Sequence, residues 1–90
     1  MLPEEKATIE KKKRDFSKLN DNKNPGLKDA EKLISDINIL LGLYAVDKNK
    51  DLEKLIKNMI DFGKSKQWAM EGQIIEFNRI KKGQLKVKKV

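Results

Sequence analysis

Cysteine and histidine are both absent from this chain of 90 residues. Their absence excludes a disulfide framework, thiol or imidazole catalysis, and the common kinds of zinc site. The most apolar run, ILLGLYAV at 39–46, has eight residues, whereas a transmembrane helix needs about 20. The start, MLPEEKATIE, also lacks the basic and apolar regions of a signal peptide. We therefore expect a soluble, cytoplasmic protein that makes no membrane contact.

Sequence motifs for cofactor or substrate chemistry are missing too. The chain contains neither G-x-x-x-x-G-K-[ST] nor G-x-G-x-x-G, the glycine-rich loops that cradle phosphates. Its acidic residues are scattered among lysines and form no evident pair for general acid–base work. These observations predict a non-enzymatic protein with no cofactor, no metal and no small-molecule substrate.

The segment DKNKD at 47–51 has the spacing that opens an EF-hand calcium loop. Asp47, Asn49 and Asp51 fit the first three ligand positions, but Leu52 replaces the required glycine and Asn58 replaces the bidentate glutamate. Two lysines within the segment would also oppose a divalent cation. The pattern therefore favours helix capping, with Asp47 or Asn49 accepting hydrogen bonds from free backbone N–H groups.

Helical periodicity dominates the rest of the sequence. The segment NDNKNPG at 20–26 is typical of a turn and separates a highly charged first segment from the remainder. Gly63 is expected to follow the third helix as its left-handed residue, and Ser65 to cap the fourth. The predicted helices cover 4–19, 27–46, 50–62 and about 66–82.

These elements predict an all-α fold. Short connections between helices favour antiparallel neighbours, and hence a small antiparallel helical bundle of three strong helices plus a weaker N-terminal one. The first helix has a thin apolar stripe, Leu2, Ile9 and Phe16, with Lys12 and Lys13 beside it, so we expect it to dock weakly. We assign residues 1–83 to this single domain and 84–90 to a basic C-terminal tail.

Positive charge is concentrated at the C-terminal end of the chain. Residues 64–90 carry eight basic and two acidic residues, a net of +6 out of the formal +7 of the whole chain. Such a concentration attracts polyanions such as DNA or RNA. The predicted nucleic-acid-binding residues are Arg79, Lys81, Lys82, Lys86, Lys88 and Lys89. The basic run KKKR at 11–14 is flanked by acids within a helix and is interpreted as a solvated face.

Lysine supplies 19 of the 21 basic residues, and Arg14 and Arg79 are the only arginines. Lysine is a point charge on a flexible stem, whereas arginine offers the planar fork that reads a guanine or holds a phosphate bidentately. Any nucleic-acid contact is therefore expected to be sequence-independent. A solvated tail without a ligand is the plainer alternative.

Two apolar surfaces remain after the core stripes are assigned. On the last predicted helix, Trp68, Gly72, Ile75 and Arg79 fall on one line away from the core stripe, and tryptophan and arginine are enriched in interface hot spots. The alternative is that Trp68 plugs one end of the core. On helix 27–46, a second stripe lies opposite the first and is either buried within a central helix or presented to another chain. Its residues are Ile39, Leu43 and Val46.

The sequence thus predicts a small basic accessory or adaptor subunit. We expect it to bind a protein partner within a nucleic-acid-processing complex, such as one for replication, transcription or RNA processing, and to add non-specific phosphate contacts. The alternative is a protein-interaction or self-assembling bundle, such as a homo-oligomer, with no nucleic-acid contact. A stand-alone DNA-binding protein is disfavoured because no helix pairs basic residues with base-reading side chains on its outer face.

Overall fold

Four α-helices make up most of the computed structural model, which describes residues 2–83. They are α1 (Pro3–Asn20), α2 (Leu27–Val46), α3 (Lys50–Ser65) and α4 (Glu71–Lys81). The prediction of a small all-α bundle is confirmed, and the bounds of α2 agree with those predicted from its periodicity. The tail predicted at 84–90 lies outside the described residues.

The first turns of α2 and α3 are each capped by a nearby polar side chain. Asp29 accepts a hydrogen bond from the backbone N–H of Gly26 at 2.8 Å. Asn49 Oδ1 accepts from the N–H groups of Asp51 at 2.8 Å and Leu52 at 3.1 Å. Helix starts have unpaired N–H groups that such caps satisfy. The capping interpretation of the 47–51 segment is therefore confirmed, with Asn49 as the capping residue.

The hydrophobic core is centred on α2, which packs against each of the other three helices. A fully buried aliphatic or aromatic side chain contributes about 1.5–3 kcal/mol, so a core of this size can hold the domain without a cross-link. The buried core side chains come from α2, α3, α4 and the residue before α4: Leu33, Ile37, Leu40, Leu41, Tyr44, Leu52, Leu55, Ile56, Met59, Ile60, Met70, Phe77 and Ile80.

The helices run up, down and up again from α2 to α4. Asn38 on α2 accepts a hydrogen bond from Gln73 on α4 at 3.1 Å. Further along both helices, the rings of Tyr44 and Phe77 lie 5.7 Å apart. From the first contact to the second, the residue number increases on both helices, so α4 runs parallel to α2. The α2–α3 connection and the C-terminal end of α4 therefore lie at the same end of the bundle.

The C-terminal end of α3 differs from the prediction. The N–H of Trp68 donates to the carbonyl of Gly63 at 3.0 Å, and that of Gln67 donates to Lys64 at 2.9 Å. These two bonds form a Schellman motif whose left-handed residue is Gln67, with φ of 63°. The predicted start of α4 at residue 66 is therefore wrong, since this motif occupies residues 66–68 and α4 begins at Glu71.

Gly63 lies inside α3 instead of following it. A Cβ atom added there would come within 2.7 Å of Met70 Sδ, and Met70 is 1% exposed. The missing side chain lets the buried methionine pack directly on the helix backbone. The glycine at position 63 thus has a structural role, but this role is close packing against Met70 and not the ending of a helix.

Helix α1 docks through partly buried apolar side chains and through ion pairs. None of its residues is buried, but Lys12 reaches the buried Asp36 of α2 at 2.9 Å. Lys32 of α2 joins Asp36 at 2.8 Å to Asp15 of α1 at 3.0 Å. Lys12, expected from the sequence to weaken docking, instead neutralises a buried carboxylate. The two pairs also show that α1 runs antiparallel to α2.

Candidate nucleic-acid and protein interfaces

One end of the bundle gathers lysines from two distant parts of the chain. The α2–α3 connection contributes Lys48, and α3 begins with Lys50. The last turn of α4 and the residue after it lie at the same end, because α4 runs parallel to α2. We call this set the basic end; its members are Lys48, Lys50, Arg79, Lys81 and Lys82.

Glu53 shows that the two parts of the basic end are close together. Its carboxylate accepts a hydrogen bond from the hydroxyl of Tyr44 at 2.6 Å. That bond, followed by the charges of Lys50 and Lys81, lowers the pKa of Glu53. Since Lys50 is on α3 and Lys81 on α4, one carboxylate lies within the field of both segments. Burial, with the hydrogen bond to Glu53, raises the pKa of Tyr44 to about 12.

The predicted phosphate-binding residues on α4 have neighbours within the domain. Arg79 Nη1 lies 3.1 Å from a carboxylate oxygen of Glu76. Lys81 Nζ lies 5.1 Å from the centre of the Phe77 ring. The side chains of Arg79, Lys81 and Lys82 are all exposed, so these contacts leave their charge accessible to solvent. Lys86, Lys88 and Lys89 lie outside the described residues.

A groove between α3 and α4 extends the positive charge along the bundle. Its cavity of about 260 Å³ has an apolar floor and three lysines at its rim, Lys57, Lys64 and Lys81. Asp61 offsets part of this charge, because it lies 3.0 Å from Lys57 Nζ. Beyond Lys64 the surface reaches Trp68, which lines a neighbouring shallow cavity. The groove thus has lysines at its rim and an aromatic ring near one end.

Sequence reasoning missed the lysines of the α2–α3 connection and of α3 as members of this surface. In the sequence, Lys48 and Lys50 were considered only as charges that oppose a calcium ion, and Lys57 was not assigned to a binding surface. The up-down-up order of α2, α3 and α4 is the signal that could have grouped them. This helix order places the start of α3 beside the end of α4. It also places the solvent-facing residues of the two helices next to each other.

The predicted protein-binding set on the last helix is divided by the structure. Trp68 precedes α4, is half-buried, and packs edge-on against Phe62 with ring centres 5.9 Å apart. Gly72, Ile75 and Arg79 are exposed on α4. Apart from its chain neighbours and the backbone of its own helix, no atom of residues 2–83 lies within 4 Å of a Cβ built on Gly72, so packing among these residues does not require glycine there. Ile75 is 59% exposed.

The second predicted stripe lies on the outside of α2. Ile39 is 44% and Val46 83% exposed, whereas Leu43 is partly buried against the core. The sequence left open whether this stripe is buried within the domain or presented to another chain. For Ile39 and Val46, burial within the domain is wrong. The structure leaves them available to another molecule.

The described part of the chain contains no group of three or more acidic residues arranged to hold a metal ion. Among the helices of residues 2–83, none has both the length and the apolar character to cross a membrane. No known protein family, curated protein or solved structure matches the chain significantly.

Proposed function

We propose that this protein is a small non-enzymatic accessory subunit of a nucleic-acid-processing complex. It binds a protein partner and adds non-specific contacts to phosphates. The observation that carries this proposal is the grouping of lysines from the α2–α3 connection and from α4 at one end of the bundle. Residues 84–90, with three further lysines and no acid, follow that same end in sequence.

The chemistry of the basic end suits phosphate and not bases. Its members are four lysines and one arginine, and Arg79 already contacts Glu76 at 3.1 Å. Lysines attract phosphates as point charges, and each phosphate neutralised on duplex DNA adds about −0.9 to the log–log dependence of affinity on salt. Recognition is therefore sequence-independent, with a salt slope near −4 to −5 for about five contacts.

The protein partner is assigned to the exposed apolar side chains on α2 and α4. Val46 at 83%, Ile75 at 59% and Ile39 at 44% exposure are large apolar residues without cover inside the domain. Arg79 lies on the outward side of α4 with Ile75 and adds a residue type enriched in interface hot spots.

A paired charge reversal tests the phosphate contact. Lys48→Glu with Lys82→Glu changes the basic end, and Lys23→Glu with Lys28→Glu changes net charge equally at the opposite end. We expect the first pair to weaken binding of labelled single-stranded DNA and RNA about tenfold and to make the salt slope less negative by about 1.4, at about 0.7 per lost phosphate contact on a single strand. We expect the second pair to have a small effect. Equal losses in both pairs would contradict a localised site.

A second candidate function is a protein-interaction or self-assembling bundle with no nucleic-acid contact. The 83% exposure of Val46 favours it, because such a residue gains most from a protein surface. Light scattering of the purified chain at increasing concentration distinguishes the two. Oligomers that dissociate in Val46→Glu, together with no binding of nucleic acid at low salt, would select this candidate.

A further inference from the structure

The groove between α3 and α4 continues into the shallow cavity beside Trp68. Two residues, Lys64 and Ile74, line both of them. Since α3 and α4 run antiparallel, Lys64 near the end of α3 lies beside the start of α4, whereas Lys81 at the other end of the groove belongs to the basic end. The surface from Trp68 to the basic end is therefore continuous. Along it, the 11 residues of α4 span about 16 Å at about 1.5 Å per residue.

Trp68 is held in place at one end of this surface. Its backbone N–H donates to the carbonyl of Gly63 at 3.0 Å, and its ring packs on that of Phe62 with ring centres 5.9 Å apart. Phe62 in turn packs against Phe16 of α1, with ring centres 5.7 Å apart. Trp68 is nevertheless only half-buried, and it lines a cavity of about 450 Å³ that is open to solvent. The domain thus fixes this side chain without enclosing it.

Positive charge outweighs negative charge along the surface. Three lysines and two acids line the groove and the cavity. A fourth lysine, Lys66, lies 5.3 Å from the centre of the Phe62 ring, the same ring on which Trp68 packs. Four lysines against two acids leave an excess of positive charge, which attracts the phosphates of a nucleic-acid strand. These charged residues are Lys57, Lys64, Lys66, Lys81, Asp61 and Glu71.

An accessible aromatic ring beside lysines is the combination with which proteins bind single-stranded nucleic acid. The bases of a single strand can splay out and stack on an aromatic side chain, whereas those of a duplex are stacked on one another inside the helix. Every base has a π-face, so stacking is as independent of sequence as the phosphate contacts are. Trp68 therefore adds a contact that a single strand can use and a duplex cannot.

We propose that the nucleic acid bound by this protein is single-stranded, that one of its bases stacks on Trp68, and that its phosphates follow the α3–α4 groove toward the basic end. Lys64 contacts the strand nearest to the stacked base, because it lines both the groove and the Trp68 cavity. This inference rests on the proposed function, since it extends the phosphate contacts of the basic end along the groove. DNA and RNA strands share the chemistry, so the test includes both.

Trp68 is the only tryptophan of the chain, so its intrinsic fluorescence reports directly on this contact. The full chain is titrated at low salt with short oligothymidylate and oligouridylate, and with an abasic oligomer of the same length and charge. We expect the strands that carry bases to quench Trp68 fluorescence and to bind about fivefold more tightly than the abasic oligomer. The abasic oligomer should bind through its phosphates with little quenching. Quenching by only one of the two strands would assign the contact to DNA or to RNA.

Substitution of Trp68 separates the base contact from folding. Trp68→Leu should weaken binding of labelled oligothymidylate about fivefold and leave the affinity for duplex DNA unchanged. Trp68→Phe retains an aromatic ring and should keep most of the affinity for the single strand. Unchanged binding of the duplex also shows that each variant is folded.

Lys64→Gln tests the path of the phosphates along the groove. We expect it to weaken binding of oligothymidylate about threefold and to make the salt slope less negative by about 0.7. Lys54→Gln, which changes a lysine on the α1 side of the same helix, is the matched control and should have a smaller effect on both. Equal effects of the two substitutions would overturn this path.

Two further results would overturn the inference and leave the phosphate contacts of the basic end in place. One is binding of oligothymidylate and oligouridylate with no change in Trp68 fluorescence. The other is an equal loss of affinity for single strand and duplex in Trp68→Leu. Absence of binding to all of these nucleic acids at low salt would instead overturn the proposed function, and this inference with it.

Discussion

Tyr44 and Glu53 join the end of α2 to the start of α3 through a buried hydroxyl and a carboxylate. The Tyr44 ring is 1% exposed and its hydroxyl donates to Glu53 over 2.6 Å. A hydrogen bond to a charged group contributes more than one between neutral groups. This pair therefore fixes the connection that carries Lys48 and Lys50 of the basic end.

Tyr44→Phe should lower the free energy of unfolding by about 1–3 kcal/mol at neutral pH. The folded pKa of Tyr44 is about 12 against an ordinary 10.0, so its contribution is present below pH 10 and is lost as pH rises toward 12. The difference between the two proteins should therefore shrink across that window. Urea unfolding at a series of pH values measures it, and a difference that stays constant up to pH 12 would contradict the assignment.

Gln67 is strained at the end of α3. Its φ of 63° is a left-handed conformation that glycine adopts with little penalty and most other residues do not. Gln67→Gly should therefore raise the free energy of unfolding by about 0.5–1 kcal/mol. Lys66→Gly, one residue earlier with a φ of −91°, is the matched control and should lower it. Chemical denaturation compares the two, and stabilisation by both or by neither would refute this explanation.

At the scale of the element, α1 shows how far sequence patterns reach. Its helical character and its thin apolar stripe were both predicted, but the role of Lys12 was not. A lysine beside an apolar stripe suggests weak packing unless its partner carboxylate on α2 is known. The position of Asp36 on α2 follows the spacing of the core residues of that helix. Pairing across helices depends on tertiary contacts, which no periodicity within one helix contains.

Lys12→Met should therefore destabilise the domain although it makes the seam of α1 more apolar. It leaves Asp36 at 6% exposure with Lys32 alone, and unbalanced buried charge is costly. We expect a loss of about 1–3 kcal/mol in unfolding free energy, with α1 amides losing protection first. Lys11→Met, whose partner Asp15 lies at 3.4 Å on the surface, should cost less than about 1 kcal/mol. Equal effects would contradict the network.

The same network makes α1 docking sensitive to acid. Hydrogen bonding to Lys32 lowers the pKa of Asp15. At the separate contact between α2 and α3, hydrogen bonding to Tyr44 lowers the pKa of Glu53. For a lowered carboxyl pKa, the stabilising contribution is present above the unfolded value and is lost as pH falls through the folded one. We expect stability to fall below about pH 4. Asp15→Asn should flatten that fall in a pH series of thermal unfolding, and an unchanged profile would contradict it.

The boundary between α3 and α4 is where sequence reasoning failed most clearly. Gly63 and Ser65 had the residue types of a helix end and a helix cap, yet both lie within α3. The end is instead set by burial of Met70 against Gly63 and by Trp68 on Phe62, which fold the chain back through a non-glycine residue. Core packing therefore outweighs the local preferences of Gly63 and Ser65. As a result, Trp68 lies before α4 and does not share a helix with Gly72, Ile75 and Arg79.

At the scale of the whole molecule, the bundle topology decides which charges act together. The all-α class, the strength of α2 and the excess charge near the C-terminus all follow from periodicity and composition. The basic end does not, because it joins residues 48–50 to 79–82 through the parallel arrangement of α2 and α4. That arrangement is a property of the packed bundle. It brings two basic segments that are far apart in sequence onto one surface.

We propose that this surface contacts phosphate together with the residues that follow it in sequence. The most direct measurement is fluorescence anisotropy of labelled single-stranded and duplex DNA and RNA with the full chain and with residues 1–83, over a series of salt concentrations. We expect affinity to fall steeply with salt, with a slope near −4 to −5 on duplex DNA, and to decrease markedly on truncation. No binding by the full chain at low salt would contradict it.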